Sequence, residues 1–110
     1  MNEIDLAVLR DLRSDAGVEF VAELIDTFFE EAPTLLAELR AAHAAGDANR
    51  FRRAAHSIKS NSLTFGATAL AELARALELG GAPADDGAPL DALDAAYARA
   101  AQALKDLRDG

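Results

Sequence analysis

Apolar residues recur at helical spacing along almost the whole of this chain, and no stretch alternates with the period of two that a half-buried strand needs. That pattern restricts the fold to the all-α class. A first short helix is expected from about Asp5 to Arg13, with Leu6, Leu9 and Leu12 turned inward. Ser14-Asp15-Ala16-Gly17 reads as a break. A second helix follows, with Phe20, Val21, Leu24, Ile25, Phe28 and Phe29 on one wide apolar stripe. Pro33 marks a new start, because proline is tolerated in a first turn and disfavoured deeper in a helix. The alternative is that the segment from Pro33 continues the second helix with a bend. This segment carries Leu35, Leu36 and Leu39 and ends near Gly46.

Asp47 reads as the N-cap of a further helix running through Phe51, Ala55, Ile58 and Ser62 to about Phe65. Gly66 interrupts it, either as a C-terminal cap or at a close helix crossing. Another helix is expected from about Ala67 to Leu79, with Leu70, Leu73, Ala74 and Leu77 inward. The Gly- and Pro-rich run from Gly80 to Pro89 is the clearest loop. A last helix carries Leu90, Leu93, Tyr97, Ala101, Leu104 and Leu107. Short connections favour antiparallel neighbours. The expected architecture is therefore an up-down antiparallel four-helix bundle with a short additional N-terminal helix. The 110 residues suit one domain, residues 1–110, and the 51% of hydrophobic residues suffice for one modest core.

Charge and composition remove several classes of function. A net charge of −8 argues against nucleic-acid binding, which needs Lys and Arg in excess. No segment approaches the ~18 continuous apolar residues of a membrane span. The acidic start Met1-Asn2-Glu3-Ile4-Asp5 lacks the basic and apolar regions of a signal peptide. The absence of cysteine excludes thiol catalysis and fits a reducing, cytoplasmic setting. No His/Cys cluster or calcium-loop spacing points to a metal, and no phosphate-binding glycine loop points to ATP.

The positive charge is unevenly placed, with Arg50, Arg52, Arg53 and Lys59 close together in an otherwise acidic chain. A helix turns about 100° per residue, so with Phe51 at zero the residues Ala55, Ile58, Ser62 and Phe65 fall within about 40° of it, as a core stripe. His56 lies at about 140°, on a face shared with Arg52, Lys59, Ser60 and Leu63. Lys59 follows His56 by three positions and Ser60 by four, which are the offsets of side-chain neighbours on a helix. An exposed neutral imidazole is a competent nucleophile near neutral pH. The lysine can hold a phosphoryl oxygen as a mobile point charge. The serine leaves room beside the ring, and an exposed Leu63 can serve as a docking contact. Helical geometry alone is equally consistent with a solvated surface histidine among incidental neighbours. His43, with alanine at most nearby positions and no lysine after it, carries no such pattern.

The segment Ala55-His56-Ser57-Ile58-Lys59-Ser60-Asn61-Ser62-Leu63-Thr64-Phe65-Gly66-Ala67 resembles the signature of histidine-containing phosphotransfer (HPt) domains. The resemblance implies a helical bundle that accepts a phosphoryl group from an aspartate of one receiver domain and passes it to an aspartate of another. It implies that His56 is the phospho-acceptor, reacting through Nε2, and that Lys59 stabilises the phosphoryl group. Ile58 matches the buried apolar position, and Gly66 and Ala67 match the closing Gly-Ala pair. Ser60 departs from the commoner glycine but is also small. Arg52, Arg53, Ser60 and Leu63 become the expected docking residues.

The implied partners are response-regulator receiver domains and a hybrid histidine kinase. Any Mg²⁺ is expected on the receiver and no cofactor in this chain. The chain is expected to be a monomeric phospho-carrier without kinase activity of its own. Rival readings are a non-catalytic adaptor that docks such domains without carrying phosphate, a hydrolase using His56 as general base, and a membrane-surface helix. The second lacks a legible catalytic partner, and the third is at odds with the acidity.

Overall fold

A computed structural model describes residues 17–81 and 87–109 together with the single positions 11 and 14. Apart from Asp11, which is helical, the helix expected over Asp5–Arg13 lies outside the described residues, as do the middle of the Gly/Pro-rich loop and the side chain of Leu107. Four helices make up the remainder: α1 (Val18–Ala45), α2 (Ala48–Thr64), α3 (Thr68–Gly80) and α4 (Ala88–Asp109). Each packs against its neighbour in sequence, and α4 closes the ring against α1.

The pairing is antiparallel throughout. Glu38 and Phe28 of α1 meet Arg50 of α2 and Phe65 at its C-terminal end, in reversed order. Arg40 and Asp26 of α1 meet Asp94 and Arg108 of α4, again reversed. No helix among the described residues is long and apolar enough to cross a membrane.

Helix ends follow local chemistry. Gly46 closes α1 with φ 69°; its N–H donates to His43 O, and the Asp47 N–H donates to Ala42 O, the paired bonds of a Schellman cap. Asp47 then caps the next helix as expected, its side chain accepting from the Arg50 N–H at 3.1 Å. Gly66, at φ 68°, ends α2 in the same way, with its own N–H on Leu63 O and the Ala67 N–H on Ser62 O. Of the two roles open to Gly66, it takes the C-terminal cap.

One boundary is corrected. Pro33 starts no helix; it lies inside α1, which is continuous for 28 residues. Proline removes one helical N–H and crowds the carbonyl four residues back. Pro33 is exposed, so water can serve the carbonyl it leaves unpaired, while Ala32, Leu35, Leu36 and Leu39 keep α1 seated.

The core is a leucine and alanine interior around a few rings. Leu39, Phe51, Leu70, Leu90, Leu93 and Leu104 are fully buried. Phe28 lies 5.1 Å from the ring of Phe65 and 5.6 Å from that of Tyr97, joining three helices. Buried Ala42, Ala54, Ala55, Ala74, Ala96 and Ala100 let the helix backbones approach closely. Not every apolar position on these helices faces inward. Phe20 is 49% exposed, because it sits about 100° around α1 from the Val21–Ile25–Phe28 line. Ala101 is only partly buried, with Ala96 and Ala100 taking the inward side of α4.

Candidate functional site

The site is built on the hairpin of α2 and α3. The stripe Phe51, Ala55, Ile58 and Ser62 is buried, as its spacing requires, and Ser62 meets its hydroxyl need by donating to Ile58 O at 2.6 Å. With that stripe inward, His56 has to point out. Its side chain is 60% exposed, midway along α2.

The ring is not loose. Its Nδ1 lies 2.8 Å from Oε2 of Glu78, which reaches over from α3. The same carboxylate accepts from Lys59 Nζ at 2.9 Å through Oε1 and 3.1 Å through Oε2. Glu78 is 13% exposed and Lys59 22%, so the three groups form a half-sheltered cluster beneath the open edge of the imidazole.

The electrostatics fix the direction of these bonds. The Lys59 ammonium first, and the His56 ring second, hold the Glu78 carboxyl below its ordinary range, against a smaller opposing effect of burial. An ionised carboxylate has no proton to give, so the hydrogen between it and His56 sits on Nδ1. In the neutral ring the lone pair then belongs to Nε2. Lys59 has three N–H donors and turns two contacts onto Glu78, which leaves one for a further acceptor. A nucleophilic nitrogen, a cation one turn away and a carboxylate orienting both can receive and hold an anionic group.

The other residues singled out by sequence fall as follows. Arg52 is exposed and donates to Asn49 Oδ1 at 3.3 Å; Arg53 and Ser60 are also exposed. Leu63 is 55% exposed on α2. Ile58 and Ala67 are buried, and Gly66 makes the turn that reverses the chain between α2 and α3. Arg50 leaves the basic face to pair with Glu38 at 2.8 Å. Lys59 departs from the expectation of an outward, mobile cation. It is half-buried and engaged, because the α2–α3 contact places Glu78 over it.

His43 packs its ring 6.3 Å from that of Phe51, at the far end of α1. A cleft of about 220 Å³ between α1 and α2, lined by Leu24, Phe28, Asn61 and Phe65, takes in neither His56, Lys59 nor Glu78. Among the described residues no three His, Cys, Asp or Glu side chains gather as a metal cluster.

Glu78 is the residue that sequence reasoning missed. A signal for it exists. Folding the two helices about Gly66 sets the stretch from Arg75 to Leu79 roughly opposite His56, and Glu78 is the acid in that stretch.

Comparison with known proteins places the fold in a family. A family model described as Hpt domain matches residues 23–103. Among solved structures, the chain is similar to the crystal structure of histidine-containing phosphotransfer protein B (HptB) from Pseudomonas aeruginosa PAO1. The TM-score is 0.85 at 28% sequence identity, covering 97% of this chain and 95% of that one. No curated protein sequence matches at a significant level.

Proposed function

The chain belongs to the Hpt domain family, and on that premise we propose that it is a phosphorelay intermediate carrying its phosphoryl group on Nε2 of His56. The observation that carries the assignment to His56 is the bond from its Nδ1 to Glu78 on an otherwise open ring. It selects the tautomer with the lone pair on Nε2 and holds the ring in one orientation.

Transfer is in line. The Nε2 lone pair attacks the phosphorus of an aspartyl phosphate on a receiver domain, the P–O bond breaks, and its electron pair leaves with the aspartate. Passing the group to a second receiver reverses these events. Such transfers depend mainly on positioning and on neutralising the phosphoryl oxygens. Lys59 supplies the charge with its remaining donor. Glu78 acts as a positioning residue for both groups. The protein needs only to present this cluster, and a receiver brings the aspartate and any Mg²⁺.

Arg52, Arg53, Ser60 and Leu63 surround His56 on the exposed side of α2 and form the docking face. Ser60 keeps the approach to the ring open. The two arginines supply positive charge to meet the acidic site of a receiver, and Leu63 supplies an apolar contact.

The test is transfer from a phosphorylated receiver. The product should be acid-labile and alkali-stable phosphate, lost in His56→Gln and retained in His43→Gln. Labelling that persists in His56→Gln would overturn the assignment.

A further inference from the structure

We propose that Glu78 keeps the proton on Nδ1 of His56 after phosphorylation, so that the phosphoryl group enters and leaves Nε2 with no proton exchanged with water, and the phosphohistidine is short-lived as a consequence. The inference rests on the phosphotransfer reading and adds to it how the stored group is kept transferable.

Charge balance leads to this point. Attack by Nε2 uses the ring's lone pair, so the ring becomes cationic while Nδ1 still bears its hydrogen. If that proton stays, breaking the P–N bond returns an electron pair to Nε2 and releases a neutral imidazole, a good leaving group. If the proton is lost, the departing group is imidazolate, a far poorer one, until a proton returns. Whether the phosphorylated ring is a ready donor or a stalled one therefore depends on what faces Nδ1.

What faces it is the Glu78 carboxylate, 2.8 Å away, sheltered, and held ionised by Lys59. The other charged residues at neighbouring helical positions are positive. Lys59 lies one turn ahead along α2, Arg52 and Arg53 one turn behind, and Arg75 one turn before Glu78 on α3. Each of these favours expelling the Nδ1 proton, and Glu78 opposes them. On the α1 side of α2, about 120° around from His56, Glu38 is taken up by Arg50.

The same arrangement opens the group to water. A water oxygen that attacks phosphorus breaks the P–N bond, returns the pair to Nε2, and yields inorganic phosphate, with the water's proton passing to that phosphate or to solvent. A ring that keeps its Nδ1 proton to higher pH is thus hydrolysed quickly to higher pH.

The experiment uses the intact chain, phosphorylated with the small donor phosphoramidate and freed of it. Loss of phosphohistidine is followed by ³¹P NMR across neutral to alkaline pH, with ring protonation read by ¹⁵N NMR and the fold checked by circular dichroism. For Glu78→Gln the fall in hydrolysis rate should begin about one pH unit lower than in wild type, so that at mildly alkaline pH the variant's phosphohistidine lasts about tenfold longer. Lys59→Ala, which removes an opposing cation, should move the fall in the other direction. Superimposable profiles for wild type and Glu78→Gln, or a wild-type phosphorylated ring lacking the Nδ1 proton, would overturn the inference while leaving His56 as the carrier. Failure of folded wild type to take phosphate on His56 from either phosphoramidate or a receiver would sink the functional reading along with it.

Discussion

Glu78 answers to two partners at once, and its titration should be visible in stability. Lys59 and then His56 lower its carboxyl from the ordinary value of 4.5. A carboxyl lowered by folding contributes stability that is fully present above its unfolded value and is lost as pH falls through the lower folded value. Urea midpoints of wild type should therefore fall more steeply below about pH 4.5 than those of Glu78→Gln, and the two curves should run parallel above it. Parallel curves throughout would mean that the cluster does not form in solution. Lys59→Ala removes the cation that both shelters Glu78 and remains able to reach a phosphoryl oxygen. A hydrogen bond to a charged group is worth about 1.5–3 kcal/mol, so transfer from a receiver should slow by roughly 10- to 100-fold in stopped-flow assays. The α2 half of this cluster was legible in the sequence, because His56, Lys59 and the buried stripe beneath them are local to one helix. Glu78 is distant along the chain and meets His56 only through the register of two packed helices, which one helix's periodicity does not specify.

At the level of helices, period and caps carried most of the information. Asp47 and Gly46 mark their boundary by chemistry that acts within a few residues, and the core stripe of α2 lies where its spacing requires. Pro33 misleads for a physical reason. The penalty for an interior proline falls on one turn, whereas α1 is held along its length by Val21, Ile25, Phe28, Ala32, Leu39 and Ala42. Gly66 shows the converse, a single residue that controls two helices. Its φ of 68° is open to glycine and strained for a residue with a Cβ. Gly66→Ala should lower stability by about 1–3 kcal/mol. Because the turn sets where Glu78 arrives, it should also loosen the bond between Glu78 and His56, which ¹⁵N shifts of the ring would report as a mixture of tautomers. An unchanged tautomer in a destabilised variant would show that the α2–α3 register is set by core packing and not by the turn.

For the bundle as a whole, burial separates the leucines that hold the fold from the one proposed to meet a partner. Leu93 is fully buried in α4, whereas Leu63 stands 55% exposed on α2 with little packing to lose. Removing a buried leucine forfeits its transfer free energy and leaves a cavity, so Leu93→Ala should cost about 2–5 kcal/mol. Leu63→Ala should stay within about 0.5 kcal/mol of wild type, as exposed substitutions generally do. The order reverses when a receiver is present. A side chain that anchors an interface costs more than about 1 kcal/mol when truncated, so if Leu63 is the apolar anchor of the proposed docking face, Leu63→Ala should weaken receiver binding by roughly tenfold. Leu93→Ala, studied where it remains folded, should bind as wild type does. Chemical denaturation and titration calorimetry on the same two variants measure both quantities. If Leu63→Ala binds the receiver normally, the docking face lies elsewhere on the bundle, and Arg52, Arg53 and Ser60 lose their assigned role with it. If Leu93→Ala is the variant that loses binding while still folded, contact with the receiver depends on the packing of the whole ring of helices, and the division between core and face drawn from burial does not hold.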